Sequence, residues 1–347
     1  MKLGAITEWV ADLSDFREQV RLADDLGYDV IGIGDSPARA HEMYVSLTVA
    51  AHETRRATLT TMVTTPFLRH PSVTATAISA VREVAGDRLM IALGSGGSAI
   101  RVLGRPRGAT PAELREYALA VREILAGRSV VFDGRPTEPL RRVVRPMPVF
   151  VAADHPASLR MAGEIADGVI MTVGLDAGRV EQKIATVRSA AERAGRDPGA
   201  VEVWGFTFVA IGGSRAAANA EIATALASDV GMRLRAPHMR ATVPPELLGA
   251  VEEVERRYDR YDHVLDGKNA RLLRETGLTD FAAGLTAVTG DVAEVADHLK
   301  RLETLGVSCV LATLPAVADP AGTLRRLSEA AAYVRPRPPA QTSTTTL

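Results

Sequence analysis

The sequence predicts a (β/α)8 barrel, on three observations: a helix, glycine, strand unit that recurs along the chain, strands that are apolar throughout, and a count of eight strands. The unit is plainest at FREQVRLADDLGYDVIGIG (16–34), ISAVREVAGDRLMIALG (78–94), LRMAGEIADGVIMTVG (159–174) and VADHLKRLETLGVSCVLAT (295–313). Strands without polar alternation are buried on both faces, as in a parallel sheet covered by helices. The alternative is a doubly wound open sheet, which calls for a GxGxxG fingerprint where a strand turns into a helix. Gly94-Ser95-Gly96 supplies two of those glycines and no third.

Each strand has its own local reason. KLGAI (2–6) opens the chain, DVIGIG (29–34) follows a helix ended by Gly27, and ATLTTMV (57–63) is rich in β-branched residues. RLMIAL (88–93) follows Gly86, and PVFVA (148–152) follows an irregular, arginine-bearing surface excursion from Gly127 to Met147. GVIMT (168–172), VEVWGFTFVA (201–210) and VSCVLA (307–312) complete the set. Before the last strand, Val292, Val295, Leu299 and Leu302 keep one helical face, and Gly306 suits the C-terminal cap. Residues from about 214 to 287 break the repeat with helical pattern, an insertion between the seventh strand and its closing helix that would cover the barrel mouth or build a subunit contact. The reading is one domain over 1–334, with the Pro- and Thr-rich stretch 335–347 as a disordered tail.

Composition narrows the function. The 347 residues are 46% apolar and 4% aromatic, with 41 basic against 42 acidic side chains, so nothing points to nucleic acid or an anionic membrane as partner. The first residues lack the order of a secretory signal, and no apolar run reaches the roughly 18 residues of a membrane span, so a cytoplasmic protein is expected. The one cysteine, Cys309, lies inside an apolar strand and reads as packing.

In such barrels the site lies at the carboxyl ends of the strands. Those positions carry Glu8 and Trp9, Asp35 and Ser36, Thr64 to Pro66, Gly94 to Ser98, Ala153 to His155, Thr172 to Gly174, and Thr313. His41-Glu42 and His52-Glu53 lack the second His of a zinc HExxH motif, and no GxSxG elbow is present, so no metal site is expected. A mouth of Thr, Gly, Ser and small apolar residues suits a large flat cofactor that brings its own chemistry. A glycine corner, Gly94-Ser95-Gly96-Gly97, would let the fourth strand's backbone approach it closely.

Residues 58–104, TLTTMVTTPFLRHPSVTATAISAVREVAGDRLMIALGSGGSAIRVLG, resemble the core of the bacterial-luciferase-like flavin and deazaflavin superfamily, nearest its coenzyme F420-dependent, methylenetetrahydromethanopterin reductase-like branch. Segments 32–51, 152–170 and 288–313 support the resemblance. It implies a non-prolyl cis peptide at Met62–Val63, a bulge that backs the middle ring of the deazaflavin. It also implies cofactor contacts at Asp35, Thr64, the corner Gly94, Ser95, Gly96 and Gly97, the corner Ala153, Asp154 and His155, and Gly174. The function implied is an F420H2-dependent reductase that moves hydride to a C=N or activated C=C bond of a small-molecule or peptide substrate. An FMN-dependent monooxygenase is the alternative, and a homodimer is expected.

Three positions depart from the pattern of these relatives. Ser36 stands where F420-dependent alcohol and sugar-phosphate dehydrogenases carry a catalytic His, which disfavours alcohol oxidation. Gly97 stands where reductases often carry Asp. Asp154 replaces a Ser that contacts the cofactor phosphate, and an ionised carboxylate there would repel an anion unless His155 or backbone donors compensate. For the proton that follows hydride, Glu8 is the first candidate, then Glu42 and His41, with Tyr261 and His263 of the insertion behind them.

Overall fold

A computed structural model describes residues 1–7, 12–37, 40–140, 145–235, 237–260, 262, 264–314 and 318–334. Nine strands form its main sheet: β1 (Lys2–Thr7), β2 (Val30–Ile33), β3 (Thr58–Thr61), β4 (Leu89–Leu93), β5 (Val149–Ala152), β6 (Gly168–Thr172), β7 (Glu202–Ile211), β8 (Ala287–Gly290) and β9 (Cys309–Thr313). All pair in parallel, and the run from β1 to β7 closes through β9 back onto β1, an eight-stranded barrel with β8 outside the ring. The eight strands expected from the sequence are the eight that close it.

Alternate residues explain why the strands read as apolar without a break. Ile6, Val30, Met62, Met90, Phe150, Ile170, Trp204, Cys309 and Leu311 fill the barrel interior. Their neighbours, among them Leu3, Ile31, Leu59, Ile91, Val151 and Val169, pack outward beneath the helices. Cys309 is a buried interior residue, in keeping with a packing role.

The ninth strand was not foreseen. β7 is ten residues long, and its first part pairs with β6 and β9, while its overhang, Phe208–Ile211, pairs with Ala287–Gly290. Four residues are too few for a period-two signal, and β8 lies directly between the helix Thr279–Thr286 and the capping box of Asp291 and Glu294. The insertion ahead of it contains the helices Arg215–Glu221, Ala223–Arg233, Leu248–Arg257, Lys268–Glu275 and Thr279–Thr286. Their apolar cluster takes in Ala210 of β7 and Ala287 of β8, so the insertion is packed onto the carboxyl end of the barrel. The irregular excursion holds a small antiparallel hairpin, Val131–Phe132 against Arg135–Pro136. Among the described residues no helix is long and apolar enough to cross a membrane. The stretch 335–347 lies outside them.

Candidate active site

β3 leaves the sheet through a non-prolyl cis peptide at Met62–Val63. Two glycines flank this bulge and make room for it. A Cβ on Gly32 would stand 2.9 Å from Met62 Cβ, and one on Gly94 would stand 2.5 Å from Val63 Cγ2. Thr64 then rejoins β4, its N–H donating to Ala92 O at 3.2 Å and its O accepting from Gly94 N–H at 2.9 Å. The corner that follows is open: Ser95 and Gly97 are exposed, and a Cβ on Gly97 would meet nothing within 4 Å. Behind it, Ala109 N–H donates to Ser95 O at 2.7 Å.

Gly96 has a reason to be glycine beyond ligand access. Its φ is +84°, and a Cβ would fall 2.6 Å from Ile100 Cγ2 and 2.9 Å from Thr65 Oγ1. Gly96→Val therefore distorts the corner itself and does not simply narrow the approach. The expected outcome is a folded protein, by circular dichroism, that has lost saturable binding of flavin or deazaflavin; unchanged binding would show that the corner is not part of the ligand site.

Asp35 lies just past β2, buried, in a side-chain network that spans two strand ends. Its Oδ2 accepts from Thr64 Oγ1 at 2.7 Å and from Arg69 Nη1 at 2.6 Å, and its Oδ1 from Arg69 Nη2 at 3.3 Å. Arg69 Nη2 also donates to Glu42 Oε1 at 2.6 Å, and the guanidinium lies 4.9 Å from the centroid of the Tyr44 ring. Burial works against the charge on Arg69, yet the hydrogen bond and charge of Asp35 raise its pKa. Glu42 is also the N-cap of the helix Met43–Glu53, its Oε2 accepting from Val45 N–H at 2.9 Å. His41 stands exposed beside it.

A second network sits at the ends of β5 and β6. Asp154 Oδ1 accepts from Thr172 N–H at 2.9 Å and Lys183 Nζ at 2.7 Å, and its Oδ2 from Thr172 Oγ1 at 2.5 Å and Arg233 Nη1 at 2.6 Å. Burial alone would push this carboxyl up, but the charges of Lys183 and Arg233 outweigh it and hold the pKa well below the ordinary aspartate value. Burial likewise opposes the charge on Arg233, which Asp229 and Asp154 hold raised. Asp154 is thus an ionised group already matched by two cations, one from the barrel helix Ala177–Arg193 and one from the insertion. Lys183 and Arg233 supply positive charge at Asp154 in addition to the His155 or backbone donors that the sequence offered. His155 is exposed and caps the helix Pro156–Ile165, its Nδ1 accepting from Ala157 N–H at 3.2 Å.

The remaining residues fall into place around these networks. Ala153 is buried, with its N–H on Ile170 O at 2.9 Å. Gly174 lines the small cavity beside Asp154, and its Cα lies so close to the backbone of residues 284–286 that a Cβ would meet Gly284 O at 2.5 Å. The buried His298 bonds Gly174 O at 3.0 Å through Nε2, which carries the proton because a carbonyl can only accept; burial lowers its pKa. Glu8, Tyr261 and His263 lie outside the described residues. Among those described, no three His, Cys, Asp or Glu side chains gather as a metal site. Arg69, Lys183 and Arg233 were not singled out in the sequence; for Arg233 the opposite-charge i, i+4 pair with Asp229 was an available signal.

The chain is 30% identical over 196 residues to a 5,10-methylenetetrahydromethanopterin reductase of Methanolobus tindarius, covering 55% of this chain and 60% of that one. It is 30% identical over 215 residues to an F420-dependent glucose-6-phosphate dehydrogenase of Gordonia bronchialis, covering 55% and 64%. The chain thus matches less than two thirds of the length of these curated relatives. The solved structure of the coenzyme F420-dependent tetrahydromethanopterin reductase from Methanopyrus kandleri superposes with a TM-score of 0.72 at 20% identity, covering 94% of this chain and 97% of that one, a likeness of fold. The model of the family described as luciferase-like monooxygenase matches residues 2–309, and the chain belongs to that family.

Proposed function

We propose that the protein is an F420H2-dependent reductase acting on a C=N or activated C=C bond of a small-molecule or peptide substrate. The observation that carries this reading is the open corner Gly94 to Gly97 at the end of β4, where Ser95 and Gly97 are exposed and a Cβ on Gly97 would meet nothing within 4 Å. It is a surface of backbone and small side chains at the barrel mouth, which fits a flat tricyclic ring. The curated relatives in this family, a methylenetetrahydromethanopterin reductase and F420-dependent dehydrogenases, support F420 as the ring that binds.

When bound, the reduced deazaflavin supplies the hydride; the chain's own residues position, shield and deliver protons. Asp35, locked by Thr64 and Arg69, gives the mouth a fixed carboxylate beside the bulge. The Asp154 network closes the opposite side and ties the insertion down over it. Ser36 supplies no imidazole base, which favours reduction over alcohol oxidation. The proton that completes reduction is assigned to Glu8, with Glu42 and His41 behind it. Glu42 is the less free, because Arg69 and the helix N-terminus hold its carboxylate. A Glu8→Gln protein is expected to bind cofactor normally and to lose turnover by about 100-fold, within the usual range for a general acid. Unchanged turnover would pass the role to His41 or Glu42.

The second reading is an FMN-dependent monooxygenase, which the description of the family favours. Titration of the purified protein with oxidised F420 and with FMN, followed by absorbance, separates the two. Tighter binding of F420 supports the reductase and leads to imine and enone substrates. Tighter binding of FMN overturns it and makes oxygen consumption the next assay.

A further inference from the structure

The chain is 4% aromatic, yet three of its aromatic residues stand at alternate positions of one strand, β7. Trp204, Phe206 and Phe208 share the face turned into the barrel, where Trp204 belongs to the interior cluster and Phe206 packs against it. Trp204 and its neighbour Phe150 are each 2% exposed, as the filling of a core should be. Phe206 and Phe208 are only half-buried. Their rings meet edge to face, with centroids 5.8 Å apart and planes at 70°.

Their place in the fold says what the open part of each ring looks onto. The outward residues of β7, Val203, Val209 and Ile211, are buried beneath the helices, so water reaches the inward rings only through the barrel mouth. Phe206 packs on the barrel interior and Phe208 on the apolar cluster of the insertion, which lies over the carboxyl end. The pair therefore spans the height between the floor of the mouth and the helices above it. The other half-buried apolar residues on the interior cluster are Val63, past β3, and Ala152 of β5, which leaves a floor of small apolar groups. In the ring of eight strands β7 stands directly opposite β3. A flat cofactor seated against the glycine corner of β4 and the exit of β3 thus leaves its far face to β7, and an aromatic pair held half-open there is surface for a ligand to cover.

We propose that Phe206 and Phe208 form the substrate-recognition wall of the site, and that the substrate carries a planar, apolar, conjugated group, an aryl or vinyl system adjoining the bond that is reduced. The inference rests on the cofactor reading above and narrows its substrate class. A third planar group packed into the angle between the two rings gains edge-to-face contact in addition to apolar burial. A polar substrate of similar size gains nothing from this wall, because phenylalanine offers it neither donor nor acceptor.

The test measures binding of two neutral probes that share an activated C=C bond, cinnamamide with a phenyl group and crotonamide with a methyl. Calorimetry is run on protein saturated with whichever oxidised cofactor it prefers, F420 or FMN. The wild type is expected to bind cinnamamide about tenfold more tightly than crotonamide. Phe206→Leu and Phe208→Leu, checked for folding by circular dichroism, are expected to lose about fivefold in cinnamamide affinity with crotonamide unchanged, whereas Phe208→Tyr keeps the preference. Phe208 lies above the barrel core, so its variant carries the test if Phe206→Leu does not fold. No preference in the wild type, no binding of either amide, or a preference intact in both leucine variants overturns the proposal. A loss of cofactor affinity of the same size in the variants also overturns it, by placing the rings on the cofactor. A wild type that takes neither cofactor overturns the cofactor reading instead, and the same calorimetry on the free protein then decides the wall by itself.

Discussion

Replacing Asp154 by alanine is expected to lower the stability of the protein by about 2 kcal/mol at neutral pH. The carboxylate lies between Lys183 Nζ at 2.7 Å and Arg233 Nη1 at 2.6 Å, and its removal leaves two cations converging on Thr172. Loss of one partner from a fully buried pair costs about 3–5 kcal/mol. Here the side chains of Asp154, Lys183 and Arg233 remain 30%, 18% and 27% exposed, so solvent screening brings the figure down. Because Arg233 of the insertion loses its carboxylate partner on the barrel, the helices from 215 to 286 should also become more accessible to limited proteolysis. The same pair sets a pH dependence. The folded-state pKa of Asp154 lies below the ordinary value of 3.8, so its stabilisation is complete above that value and is lost as the pH falls through the lowered folded pKa. Urea unfolding of wild type and Asp154→Ala should therefore differ at neutral pH and converge toward strong acid. Equal stability at neutral pH would mean that solvent already satisfies both cations.

Arg69→Met is expected to be the more damaging change, by about 3 kcal/mol, because it strands a carboxylate with less access to water. The Asp35 side chain is 3% exposed, and without Arg69 its described side-chain donor is Thr64 Oγ1. The substitution also releases Glu42 and removes the cation above the Tyr44 ring. Arg69→Lys should recover only part of the loss, since a single ammonium cannot reproduce the fork that reaches both Asp35 oxygens and Glu42. A double-mutant cycle with Asp35→Asn checks the origin of the effect. If the ion pair is responsible, the double variant is more stable than the sum of the single losses predicts. Strict additivity would assign the cost to packing around Tyr44.

The fold was legible because its signals are local. The barrel strands are apolar runs, and β2, β4 and β9 each follow a helix ended by a glycine, Gly27, Gly86 and Gly306, so the periods that mark them need no knowledge of distant residues. The expected strand 168–172 coincides with β6, and the others fall within a residue or two of their observed ends. β8 escaped because its four residues form a strand only through pairing with Phe208–Ile211, the overhang of β7. Among the site positions, Asp35 and the corner Gly94 to Gly97 could be named because chain order alone dictates which residues leave a strand at its carboxyl end.

Their chemistry could not be read the same way. Asp35 meets Arg69 across 34 residues, and Asp154 meets Lys183 across 29 and Arg233 across 79. Nothing in the local pattern of Asp154 distinguishes a bare carboxylate that repels an anion from one neutralised by two cations. Periodicity and strand-end order, which are properties of neighbours along the chain, determined the barrel and the rim of its mouth. Closure of the barrel and docking of the insertion decided which charges on that rim meet, because side chains separated by tens of residues find their partners only when the sheet closes on itself.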